Sequence, residues 1–206
     1  MRSPATAPRA LTYVLAGWSG YYIMAIELLS GRILAPNFGN SIYVWGAIIT
    51  VFMVALSVGY LVGGQLSLFA PSQTKLAGLL LAAALFTLPI VLFGDAVLDW
   101  IFNRVTDPRY ASLLASSLLF FVPTTLSGMV SPYAVRLLAT NLRTTGHAAG
   151  LLFFVSTFGS AAGTIATSFY MVLWFDINQI FIGMMTVSAA LAAVTMGFCH
   201  VEAKAN

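Results

Sequence analysis

The chain has 206 residues, of which 60% are hydrophobic and 7% charged, with 9 Lys+Arg against 6 Asp+Glu and a mean hydropathy of +0.93. That balance excludes an ordinary soluble domain and leaves few charges to explain. A single cysteine, Cys199, excludes an intrachain disulfide or a thiolate cluster, and the net charge of +3 reads as membrane topology and lipid contact, not nucleic-acid binding.

A bilayer core requires about 20 apolar residues per helix. Runs of that kind fall at 11–34, 41–69, 76–100, 110–140, 148–175 and 177–198. Period-2 alternation is absent, so a β-barrel is not expected. The expectation is an all-α integral membrane protein, one transmembrane domain over 1–206 with about six spans and no soluble domain.

Arg2 and Arg9 precede the first run, which is too long for a signal h-region and lacks a small-x-small cleavage site, so it reads as a retained helix. Lys and Arg near helix ends set orientation. Arg2, Arg9, Lys75, Arg136, Arg143 and Lys204 fall on one side, and Arg32, Arg104 and Arg109 on the other. Both termini are therefore expected in the cytoplasm.

Glu27 stands inside the first run, in Glu27-Leu28-Leu29-Ser30-Gly31-Arg32. An ionisable group within a span is costly and faces a partner or a pocket. Glu27 marks either a functional pocket or a structural ion pair. Arg32, Asp95 and Asp99 all fall near the outer interface, which makes a bridge from Arg32 to Asp95 or Asp99 the expected pairing. Tyr21, Tyr22 and Trp45 near Glu27 read as part of an interfacial belt, or as a cation site built on ring faces.

The second run carries Gly59-x3-Gly63 followed by Gly64, and the fifth carries Gly159-x3-Gly163. Such small-residue faces allow close helix packing, within the chain or against a partner. The fourth run holds Pro123 and Pro132 with Ser127, Gly128 and Ser131. Proline removes a helical hydrogen bond, so this stretch is a static kink or the broken wall of a cavity.

Spans one to three and four to six share features: an arginine after the first helix of each (Arg32, Arg136) and a small-x3-small second helix. Three spans per unit would make the repeats inverted, a layout common in transporters. His147 and His200 lack ligand spacing, and neither a metal nor a cofactor is expected.

Glu27 through Gly39, Ser41-Ile-Tyr-Val-Trp45, Gly59 through Gly64, Ser127 through Arg136 and Gly150 through Gly163 together resemble the membrane portion of bacterial membrane-bound spermidine synthase-like proteins. That module is described as resembling half of a major facilitator transporter. The resemblance implies a bacterial inner membrane and, in fused relatives, a cytoplasmic aminopropyltransferase-like domain. The present sequence ends at Asn206 without a strand–Gly-rich loop–helix unit, so no catalytic residue carries over. Gln65 stands where the usual pattern has a basic residue after the Gly pair, and the basic loop is reduced to Lys75.

Two functions are expected from this. One is a non-catalytic membrane subunit that docks a separately encoded aminopropyltransferase-like enzyme or a larger membrane complex, with Lys75, Arg136 and Arg143 as cytoplasmic docking residues. The alternative is a half-sized, major-facilitator-like transporter of a polyamine or cation, working as a homodimer.

Overall fold

The computed structural model describes residues 6–139 and 142–205, and the side chains of 9–139 and 145–201. Each apolar run becomes a helix: α1 (Thr6–Phe38), α2 (Ile42–Leu66), α3 (Gln73–Phe102), α4 (Pro108–Leu138) and α5 (Leu142–Ile165). α5 continues through a π-helical segment (Ala166–Met171) into the short α6 (Val172–Trp174), and α7 (Ile177–Ala205) follows. The described residues contain no strand. Arg2 and the side chains of Arg143 and Lys204 lie outside what is described.

Local chemistry fixes the turns. Gly39, at φ +76°, takes the left-handed conformation that closes a helix C-terminus, and its N–H donates to the Ala35 carbonyl at 2.9 Å. Ser72 caps α3 by accepting from Lys75 N at 3.2 Å. Asp107 caps α4 by accepting from Arg109 N at 2.9 Å, and Pro108 at the first position suits the fixed proline φ.

Five helical stretches are long and apolar enough to cross a membrane: Ile42–Leu66, Gln73–Phe102, Pro108–Leu138, Thr145–Trp174 and Ile177–Val201. Large apolar side chains such as Leu92, Phe158 and Trp174 are exposed along them, as lipid contact requires. The chain is therefore built as a multi-pass, all-α membrane protein.

α1 is less apolar than these five because of where it sits. It packs against α2, α3, α4, α5 and α7, so its small and polar residues face protein instead of lipid. Ser19 donates to the Ser127 carbonyl at 2.9 Å, Tyr22 to Thr87 Oγ1 at 2.8 Å, and Trp18 Nε1 to Ser188 Oγ at 2.8 Å.

The apolar core divides into two clusters. One gathers Tyr22, Ile26, Phe52, Phe120 and Phe181 towards the α1–α2 turn. The other gathers Leu15, Leu76, Leu80, Tyr133 and Leu152 towards the α2–α3 turn. Between them lies a layer of small and hydroxylic residues that lets α1 and α4 approach.

The α2–α4 and α1–α5 contacts are built on glycine. On α2, a Cβ at Gly59 would strike the Thr125 carbonyl, and one at Gly63 would strike Met129 of α4; a Cβ at Gly128 would meet Leu56. On α5, Gly159 and Gly163 stand in the same way against the carbonyls of Gly17 and Tyr21 of α1, while Gly20 faces Ser156. The second set repeats the first with a constant offset: α5 residues stand 100 positions after their α2 counterparts, and α1 residues 108 positions before their α4 counterparts. In both pairs residue numbers rise together, so the paired helices run parallel.

Candidate functional site

α4 runs unbroken from Pro108 to Leu138 through both prolines. Pro123, Ser127 and Gly128 are buried, and Ser131 and Pro132 half-buried. Lacking an N–H, Pro132 leaves the Gly128 carbonyl without its helical donor, and the neighbouring Ser127 carbonyl takes the extra bond from Ser19. Ser116, Thr124 and Ser127 keep buried hydroxyl oxygens without a hydrogen bond along the same helix. The backbone irregularity lies instead on the other side of α1, in Ala166–Met171, where the Val172 N–H reaches back to the Thr167 carbonyl.

The expected bridge from Arg32 to Asp95 or Asp99 is not formed. Asp99 accepts from Asn37 Nδ2 at 3.0 Å, and Asp95 is exposed on α3. The ion pair seen among the described residues is Arg109 with Asp107, at 2.7 Å. The reason is helical geometry: Arg32 and Asn37, five residues apart, point about 140° apart around α1. Asn37 faces α3, and Arg32 faces away towards α2 and the π-helical segment.

Glu27 is half-buried on α1, and its carboxyl makes neither an ion pair nor a hydrogen bond among the described residues. Its backbone carbonyl accepts from Ser30 Oγ at 2.6 Å. The three aromatic rings near it do not converge. Tyr22 is buried against Thr87, Tyr21 stacks on Trp18 with centroids 4.9 Å apart, and Trp45 lies on Gly31, where a Cβ would come within 2.7 Å of the indole. Tyr22 is thus an interior residue and Trp18 a half-buried one, while Trp100 lies under the Arg104 guanidinium at 4.6 Å and Tyr43 under that of Arg109 at 5.8 Å.

Among the basic residues expected to dock a partner, Lys75 is already engaged. Its Nζ donates to the carbonyls of Phe69 and Ala70 at 2.8 and 3.1 Å and so ties the α2–α3 turn. Arg136 is exposed in the last turn of α4. Gly64 meets no atom within 4 Å, so the close face of α2 is Gly59 and Gly63 alone.

Two concave features stand out. An apolar groove of about 480 Å³, lined by Gly17, Trp18, Phe158, Val187 and others, opens between α1, α5 and α7. A more polar cleft of about 250 Å³ lies at the opposite end of the glycine contacts, between α1, the start of α2 and the π-helical segment. Arg32, Asn40, Trp45, Thr167 and Ser168 line it, and Gly31, one helical turn from Glu27, forms part of its wall. Sequence reasoning found Arg32 and Trp45 but not Asn40, Thr167 or Ser168; no glycine or proline announces the π-helical segment that carries the last two. No family model matches the chain, and neither a curated protein nor a solved structure does.

Proposed function

We propose that the chain is a non-catalytic subunit of a bacterial inner membrane, with six spans and cytoplasmic termini, that docks a partner through α5. The observation that carries this reading is the exposure of that helix. Only 11% of the apolar stretch of Thr145–Trp174 is buried, against 33–50% in the other four. α5 is held by one glycine-lined face on α1 and a lesser contact with α4, and it presents Phe153, Phe154 and Phe158 outward, with Phe169 exposed on the π-helical segment that continues it. Rigid aromatic side chains are common anchors of helix and protein interfaces. A partner seated within the membrane fits this flank; an aminopropyltransferase-like enzyme would reach the exposed Arg136 end from the cytoplasm.

A photo-crosslinking residue at Phe158, with a control at the equally outward Leu92 of α3, tests this in native membranes. An adduct to a different polypeptide at 158 alone supports the subunit reading. Lipid adducts alone at both positions would tell against it.

A second reading is a half-sized transporter acting as a homodimer. It is favoured by the duplicated glycine register, which suits two inverted three-helix repeats of the kind transporters use, and by the unpaired Glu27. The crosslink would then join two copies of this chain. Glu27→Gln should abolish uptake of a polyamine or cation by liposomes while the protein stays folded, and undiminished uptake would remove Glu27 from the mechanism.

A further inference from the structure

We propose that the cleft between α1, the start of α2 and the π-helical segment binds a phosphate group, with Arg32 as counter-charge and Asn40 and Thr167 as hydrogen-bond donors. Three separate observations converge there. The first is charge. Arg32 lines the cleft, makes no ion pair among the described residues, and has no carboxylate beside it in the lining. The acids at the same end are outside the lining: Asp99 is with Asn37, Asp107 with Arg109, and Asp95 on α3 and Asp176 before α7 are exposed.

The second observation is an orphaned hydroxyl. Thr167 is 1% exposed and lines the cleft, and its Oγ1 has no close hydrogen-bond partner, the Tyr21 phenol being the side chain that interacts with it. On the other side of the π-helical segment and within α5, hydroxyls return to the carbonyl four residues back, as Thr195 does to Leu191 at 2.8 Å and Thr164 to Ser160 at 2.9 Å; the other unpartnered hydroxyls lie on α4. The π-helical turn takes Thr167 out of that arrangement. The neighbouring Tyr21 phenol is directed at Met171 Sδ, 3.3 Å away. A buried hydroxyl without a partner is costly unless something fills the site.

The third observation is a fixed amide. Asn40 Oδ1 accepts from Trp45 Nε1 at 2.9 Å, which leaves the Asn40 NH2 as the donor available to the cleft. A guanidinium, an amide NH2 and a hydroxyl suit an anion with several oxygens. The remaining walls, Leu28, Leu29 and Val172, are apolar. A polar pocket with an apolar flank, opening near the end of a membrane helix, fits the phosphate of a lipid headgroup. A free phosphate offers the same oxygens, and the test separates the two sources.

The test uses the full chain in detergent, delipidated and in phosphate-free buffer. Phosphatidylglycerol and a diacylglycerol with the same chains are titrated by native mass spectrometry, and inorganic phosphate by calorimetry. Preference for phosphatidylglycerol over diacylglycerol is expected, and Arg32→Gln should weaken it by about tenfold, the loss that follows from removing a hydrogen bond to a charged group. Thr167→Val should weaken it less, and Arg104→Gln, at the same end of the molecule but outside the cleft, should leave it unchanged. Saturable binding of inorganic phosphate with the same dependence on Arg32 would support the site and assign it to a soluble ligand. Binding of neither probe, or equal losses from Arg32→Gln and Arg104→Gln, overturns the proposal. Should Arg32→Gln fail to fold, Thr167→Val and Asn40→Ala decide, since neither removes a charge.

Discussion

Gly163 of α5 rests against the carbonyl of Tyr21 with no room for a side chain between them. Without a hydrophobic driving force between helices in lipid, such close backbone contact is what holds a helix to its neighbour. Because α5 is attached mainly through this one face, its glycines should be the most sensitive positions in the molecule.

Gly163→Ala should therefore lower the melting temperature in detergent, by an amount corresponding to about 1–3 kcal/mol of overpacking. Gly64→Ala, whose Cβ would enter open space, should not. A thermal-shift series over both variants and Gly63→Ala checks this. Equal melting temperatures for 63, 64 and 163 would mean the helices are not closely apposed.

Tyr22→Phe removes the phenol that donates to Thr87 Oγ1 in the core. Thr87 keeps its own bond to the Ala83 carbonyl at 2.9 Å, so no donor is stranded. The expected loss is about 0.5–1.5 kcal/mol, with the fold unchanged. Chemical denaturation in mixed micelles measures it, and a loss several times larger would place more than one bond on that hydroxyl.

Ser72→Ala should cost about 1 kcal/mol and loosen the start of α3, because Ser72 Oγ accepts from the Lys75 N–H. Limited proteolysis of the α2–α3 turn reports it directly. Faster cleavage after Phe69 or Lys75 is expected, with the remaining helices protected.

Asp107 has its carboxyl held below the ordinary range, first by the side-chain hydrogen bonds from Arg109 and then by the Arg109 backbone N–H. A depressed folded-state pKa contributes stability above the unfolded value, here 3.8, and the contribution is lost as pH falls below that value through the folded one. Arg109 is exposed and Asp107 partly so, and the pair's effect is small and screened by salt. Asp107→Asn should lower the melting temperature slightly at neutral pH and low salt. The difference from the parent should close in acid below the carboxylate range and also at high salt; a difference that persists in acid would show that the carboxylate charge is not its source.

The helices were legible because an apolar run of about 20 residues has few alternatives in lipid. Gly59, Gly63, Gly159 and Gly163 were legible as a spacing, though the sequence left open whether they face the chain itself or a partner. Their targets are within the chain: Thr125, Met129, Gly17 and Tyr21. The two arginines that suggested a repeat are not equivalent in that register, since Arg136 corresponds to Leu28 and Arg32 to Thr140. The Arg32 pairing failed because nearness along a helix says nothing of the face a side chain takes. The π-helical turn was invisible because Ala166-Thr167-Ser168 carries no residue that breaks an α-helix.

α1 and α4 do not end at matching positions. In the shared register the end of α4 at Leu138 corresponds to Ser30, whereas α1 continues through Gly31 to Phe38. Those extra two turns, about 12 Å of helix, carry Gly31, Arg32 and Ala35 of the polar cleft. A molecule whose halves matched throughout would offer the same surface to both sides of a bilayer. The overhang of α1 gives this one a distinct head at the end that carries the polar cleft.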